Sequence, residues 1–156
     1  MNSAQEKFPA LNFPDYAFKI VSVNDGFTIF DITRKKHFVL TPEEWVRQHV
    51  IHFLNKQLHY PTAIISTEYG LKYNFLQKRA DIIIYNKEAQ PYILVECKAA
   101  EIKITAKAVE QAAVYNKIIK ASYILITNGL VHLIFKFDNQ QYKQIEMLPA
   151  YHDLVS

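Results

Sequence analysis

Glycine is scarce in this chain, with three among 156 residues: Gly26, Gly70 and Gly129. None opens a GxxxxGK[ST] run, and glycines so far apart cannot build GxGxxG. Glycine-backbone phosphate cradles of the P-loop and Rossmann kinds are thereby excluded. A single cysteine, Cys97, allows no internal disulfide, and with six scattered histidines it gives no zinc signature. It also suits a reducing compartment. No apolar run approaches the ~20 residues that a membrane-spanning helix needs. The opening MNSAQEKFPALNFPDY lacks the basic-then-apolar order of a secretory signal. A cytoplasmic location is expected. Charge of one sign is in short supply as well. Eighteen basic against 15 acidic residues leave a net +3, which permits nucleic acid as a partner without demanding it.

What is present suits a packed core. Half the residues are hydrophobic, 21% are charged and 13% aromatic, a balance unlike that of disordered or low-complexity chains. The length is that of one domain. Residues 1–15, with Pro9 and Pro14, read as an irregular arm, and 16–156 as a single domain. Phe18–Val23 and Phe27–Ile32 flank Asn24-Asp25-Gly26, a hairpin signal. Arg34-Lys35-Lys36 reads as a solvated basic connection, with a phosphate contact as the sharper alternative. Thr41-Pro42-Glu43-Glu44 opens a helix reaching about Leu58, with Thr41 as N-cap and Glu44 at the N3 place of a capping box. In it, His49 and His52 are expected on a partly exposed face and Arg47 in a surface ion pair.

Beyond Pro61, residues 63–69 read as a strand and 70–78 as a polar connection. Ala80–Tyr85 and Tyr92–Lys98 are strands about a turn, Thr105 caps a helix to about Lys120, and a second hairpin surrounds Asn128-Gly129. Gln141–Met147 adds a final strand. The order predicts an α/β (α+β) domain: a central mixed β-sheet flanked by helices, with an N-terminal β-hairpin.

The chemistry gathers between Asp81 and Lys98. A four-residue loop at Lys87–Gln90 would set Tyr85 opposite Tyr92 and Asp81 opposite Glu96. Opposed residues hold their Cβ atoms roughly 4.5–5.5 Å apart. Lys98 shares the face of Glu96 through the period of two. Two opposed carboxylates repel, and each borders an apolar strand. A divalent cation would compensate them, and hard oxygen ligands suit Mg2+ or Mn2+. Such an ion activates water and holds a phosphate oxygen, with Lys98 placed to stabilise developing charge. The plainer alternative is a solvated strand end.

These residues carry a resemblance. Asp81 followed by Glu96-Cys97-Lys98 resembles the PD-(D/E)xK nuclease motif, with Ala80 at the usual proline place. Gln111-Ala112-Ala113-Val114-Tyr115 is similar to the QxxxY motif of the RecB-like branch. Together with TPEEWVRQHV, RADIIIY, VECKA and ITNGL, they resemble the N-terminal nuclease domain of type I restriction enzyme R subunits over about Phe38 to Phe137. The resemblance implies a restriction-endonuclease-like fold and a Mg2+- or Mn2+-dependent DNA endonuclease. It implies Asp81 and Glu96 as metal-binding acids, Lys98 as the catalytic lysine, and Gln111 and Tyr115 as supports on the following helix. A further acid comes from Glu44 or Glu68, and Arg79 and Lys103 are expected near phosphate. DNA and other restriction-system subunits are the implied partners. The ATP-driven translocase that follows in R subunits is not within these 156 residues. A non-catalytic DNA-binding or assembly module of the same fold stays open, as does an RNA-directed nuclease.

Overall fold

The computed structural model describes residues 3–73 and 76–155, with side chains for 4, 6–67 and 80–155. Among the described residues, nine strands form two sheets. The smaller sheet is antiparallel: β1 (Ile20–Val23), β2 (Gly26–Asp31) and β3 (Lys36–Val39). The expected hairpin is there, but Val23 pairs with Gly26, so the turn is Asn24-Asp25 alone and Gly26 opens the second strand. β3 was not expected. The basic run is a turn with Lys35 at φ 56°, and the chain then pairs back on β2.

The larger sheet runs β4 (Ile65–Tyr73), β5 (Leu76–Tyr85), β6 (Pro91–Cys97), β7 (Tyr123–Thr127), β8 (His132–Asp138), β9 (Gln141–Ile145), in that spatial order. All neighbours are antiparallel except β6 and β7, which are parallel and joined through α3 (Ala106–Ile119). Here too the structure departs from expectation. The proposed connection over 70–78 belongs largely to strand, with Gly70 opposite Arg79 and Tyr73 opposite Leu76. Its polar composition conceals a ladder that satisfies the backbone regardless of the side chains.

The helices cover opposite faces of this sheet. α2 (Pro42–Lys56) starts as predicted: Thr41 Oγ1 accepts the Glu44 N–H at 3.1 Å, and Pro42 occupies the first turn. Val46, Val50 and Leu54 pack on Ile82, Ile84, Ile93, Val95 and Cys97. α3 has Thr105 as N-cap, accepting from the Ala108 N–H at 3.2 Å, and ends at Lys120 in the left-handed region, φ 62°. Its Tyr115 and Ile119 pack on Ala80, Ile83 and Leu94.

Both chain ends hold structure the sequence did not suggest. In the arm, α1 (Ser3–Lys7) buries Ala4, and Phe8 stacks on Trp45 at 5.5 Å. Apolar residues four apart give this single turn a face to bury. At the other end, α4 (Tyr151–Val155) docks through the Tyr151 N–H on Leu58 O at 2.8 Å.

The arm is also pinned at the β7–β8 turn. The Asn12 N–H donates to Gly129 O at 2.8 Å, and Asn12 Nδ2 donates to Leu130 O at 2.6 Å. Gly129 has φ 85°, and a Cβ there would meet Leu11 Cδ2 at 2.8 Å. Gly129→Ala is expected to cost about 1–2 kcal/mol from the left-handed backbone, and more if Leu11 cannot yield. Urea unfolding of the variant beside wild type checks this; an unchanged midpoint would refute it.

Candidate active site

The β5–β6 ladder keeps the register expected from the sequence through Ile84–Ile93, Ile83–Leu94 and Ile82–Val95. The one irregularity lies at the turn, where Tyr85 pairs with Pro91. Asp81 and Glu96 follow at the far end of this hairpin, and there their side chains take different partners. Asp81 Oδ2 accepts the Cys97 N–H at 2.8 Å, so the side chain meets a strand-end backbone donor. Asp81 Oδ1 accepts from Arg47 Nη2, also at 2.8 Å. Glu96 is 8% exposed. It lines a crevice with Lys98, Ala108, Gln111, Ala112 and Ile126, a set that does not include Asp81. The Lys98 N–H donates to Thr127 O at 2.8 Å, so β7 fixes the backbone beneath the lysine.

The helix motif divides between two tasks. Gln111 is exposed at the crevice wall, whereas Tyr115, four residues on, is buried against the sheet. One helix face thus presents an amide to Glu96 and Lys98 and inserts a ring beneath the strands that carry them.

Sequence reasoning missed the role of Arg47. It is buried, with its side chain 10% exposed, and it does not make the surface ion pair expected of it. Its Nη1 pairs with Glu44, while Nη2 pairs with Glu43 at 2.8 Å and Asp81 at 2.8 Å. Burial disfavours its charge, but Glu44 and Asp81 outweigh burial and hold the guanidinium protonated well above its ordinary range. Glu43 is pushed upward, first by desolvation and then by the neighbouring Asp81 carboxylate, with Arg47 and Lys98 pulling the other way. The first-helix acid beside Asp81 is therefore Glu43. Glu44, the first-helix candidate weighed beside Glu68 in the sequence, turns instead to Arg34 Nη2 at 2.9 Å, Gln48 Nε2 at 3.2 Å and Arg47. Its backbone N–H still serves the cap, but its carboxylate belongs to this ion cluster. The i,i+4 and i,i+3 spacings of Glu43 and Glu44 to Arg47 were a signal that could have found it.

The cluster extends to Asp31, which is fully buried at the end of β2. Burial raises its pKa, but hydrogen bonds from the Thr33 hydroxyl, the Arg34 N–H, Gln48 and the Arg34 side chain outweigh that and hold it below the ordinary value. Arg34, read earlier as part of a solvated run, joins Asp31 to Glu44 and lies 3.3 Å from the centre of the Phe38 ring.

The other expected residues fall as follows. The side chains of Glu68 and Arg79 lie outside the described residues. Thr67 pairs with Ile82 and Tyr69 with Ala80, so the backbone of residue 68 runs beside Asp81. Lys103 is exposed on the loop between β6 and α3. His49 and His52 are buried rather than on an exposed face, because Trp45, Phe18 and Tyr16 close over that side of α2. Their Nδ1 atoms bond Trp45 O at 2.7 Å and Gln48 O at 2.9 Å. The Cys97 thiol is in the core, and burial, with Asp81 adding to it, pushes its pKa well up; it is no nucleophile.

Among the described residues no three His, Cys, Asp or Glu side chains converge on one point. Mg2+ is commonly held by one or two carboxylates with water and substrate phosphate completing the octahedron, and Asp81 and Glu96 are hard oxygen donors of that kind, each with its own partners here. That Asp81 Oδ1 already holds a cationic group shows that this oxygen is a site for positive charge.

The lowered pKa of Asp31 has a pH consequence. Its ionised form stabilises the fold fully above the unfolded value near 4, and the stabilisation is lost as pH falls through the lower folded value. Asp31→Asn should cost about 3–5 kcal/mol at pH 7, as a broken buried pair does, and less at pH 3. Urea unfolding at the two pH values tests this; a pH-independent difference would show that the charge of Asp31 is not what stabilises.

Comparison with known proteins bears on the whole arrangement. A family model described as type I restriction enzyme R protein N terminus (HSDR_N) matches residues 42–149. No match was found among curated proteins. Among solved structures, a fragment described as an HsdR subunit of a type I restriction enzyme from Vibrio vulnificus YJ016 is similar, with TM-score 0.53 and 23% identity. The likeness covers 74% of this chain and 25% of that one, so this chain spans about a quarter of its neighbour, and it establishes the shared fold. The family match takes in α2, the six-stranded sheet and every described residue of the candidate site. The chain belongs to the family of type I restriction enzyme R protein N termini.

Proposed function

We propose that this domain is a Mg2+- or Mn2+-dependent nuclease that hydrolyses DNA phosphodiester bonds, working with the other subunits of a restriction system. One observation carries the reading. Glu96 and Lys98 share a crevice with Gln111 at the end of the β5–β6 hairpin that also bears Asp81, in a chain of the type I R-protein family. Asp81 and Glu96 would hold the metal, with the residue 68 carboxylate a further ligand beside them. The ion supplies a water of lowered pKa and charge stabilisation on a phosphate oxygen. Lys98, fixed by the Thr127 bond, orients the attacking water and stabilises the negative charge that develops on the phosphate. Gln111 presents its amide to the same crevice, and Tyr115 keeps the strands seated. Arg79 and Lys103 are proposed phosphate contacts that position the duplex.

One observation favours a second reading, a DNA-binding module without catalysis. Both oxygens of Asp81 already have protein partners. That pairing also revises an expectation drawn from the strands alone. Opposed carboxylates would make loss of Asp81 a relief of repulsion, but with Arg47 beside it, Asp81→Ala should destabilise the metal-free protein.

Incubation of the protein with plasmid and linear DNA in Mg2+, Mn2+ or EDTA separates the two readings. Metal-dependent cleavage is expected, abolished in Asp81→Ala and Glu96→Ala. Lys98→Ala should keep metal-dependent thermal stabilisation yet cut at least about 100-fold more slowly, as loss of one charge-stabilising group does. A wild type that neither cuts nor gains stability from metal would leave only the binding module. On either reading, duplex affinity should fall steeply with salt. Lys103→Ala should reduce the slope of log K against log salt by about one if it contacts phosphate; an unchanged slope would remove it from the interface.

A further inference from the structure

The guanidinium of Arg47 sits on the oxygen that a metal at Asp81 would need. Asp81 Oδ2 is held by the Cys97 N–H, which leaves Oδ1 as the outward acceptor, and Arg47 Nη2 is bonded to it at 2.8 Å. Both side chains are poorly exposed, at 10% for Arg47 and 14% for Asp81, so little water screens what approaches them. Oδ1 has a second lone pair, but a divalent ion there would face the guanidinium as a like charge across one oxygen atom. The arrangement also leaves Arg47 incompletely satisfied. Its Nε is buried with no hydrogen-bond partner among the described residues, so the present pose leaves one of its donors unused.

We propose that Arg47 is the built-in counter-cation of Asp81, and that a divalent ion binds at Asp81 only by displacing its Nη2. This rests on the nuclease reading and deepens it. The movement required is small, because Glu44 holds Nη1 and Glu43 shares Nη2. The guanidinium can swing off Asp81 without leaving α2's carboxylates. Arg47 is then a positioning residue. It orients Asp81 and balances its charge in the metal-free protein, and it sets the metal concentration at which the site forms.

The test is calorimetric titration of the full chain with Mn2+ for wild type, Arg47→Gln and Arg47→Lys, with thermal unfolding of each with and without the ion. Arg47→Gln removes the competing charge and is expected to bind Mn2+ at least about tenfold more tightly than wild type. Arg47→Lys, which keeps the charge but lacks the fork, should fall between. Without metal the Gln variant should be the least stable of the three, and Mn2+ should raise its melting temperature more than that of wild type. A residue that merely held the fold together would not tighten metal binding when removed. Wild-type binding with unchanged or weaker binding by Arg47→Gln would overturn the inference and leave the nuclease reading intact. So would a Gln variant that stays unfolded in saturating Mn2+. No Mn2+ binding by any of the three would overturn the nuclease reading, and this inference with it.

Discussion

The structure depends on a chain of alternating charges that passes from one sheet to the other inside the protein. Asp31 at the end of β2 holds Arg34, Arg34 holds Glu44 on α2, Glu44 holds Arg47, and Arg47 holds Asp81 on β5. Each charge is taken from water and given to a neighbour of opposite sign, the condition under which buried ions are tolerated. Such a chain adds little net stability compared with apolar packing, yet breaking it at one link strands an ion. Its physical effect is geometric. It fixes the rotation of α2 on the sheet to the position of the Asp81 carboxylate, which nondirectional apolar contacts alone would fix less narrowly.

This explains why α2 has so little solvent-facing surface. From Glu44 to His52 every residue is buried, in a helix whose apolar residues form only part of its circumference. The remaining sides are taken by the ion chain and by an aromatic layer of Trp45, Phe18, Phe13 and Tyr16 around His49. A helix polar on one side normally faces water. Here the small sheet and the arm cover that side, and its polar groups find partners within the protein.

Much of the large sheet could be read from the chain. Strands β5 and β6 are apolar on both faces and meet at a turn with Asn86 and Pro91, so a simple register followed, and the ladder keeps it from Ile82 to Ile84. Thr41 and Thr105 marked both long helices because an N-cap is a local signal. That Lys98 shares the face of Glu96 was legible through the period of two, and that Gln111 and Tyr115 share a helix face through the spacing of four, whereas the meeting of Gln111 with Glu96 and Lys98 was implied only by the family resemblance. What could not be read was nonlocal. Nothing near Arg47 in sequence shows that Asp81, 34 residues on, is its partner. Nothing in the basic run 34–36 shows that Arg34 will face inward to Glu44. β3 and the strand residues of 70–78 were missed because a ladder needs only backbone, so polar side chains did not betray it.

The parallel pairing of β6 with β7 also bears on how the site comes into being. The other pairings of the large sheet join strands only a few residues apart in sequence, whereas Ile93 meets Tyr123 only after the chain has passed through all of α3. Closing that longer loop carries the largest entropy of any pairing in the sheet. The Lys98–Thr127 bond and the crevice walls from α3 and β7 lie on the far side of that closure. Two hairpin wings can therefore form early and locally while the crevice between them is still open. The nascent chain carries no assembled crevice until its centre has closed, so the grouping of Glu96, Lys98 and Gln111 arrives together with the finished fold and not before it.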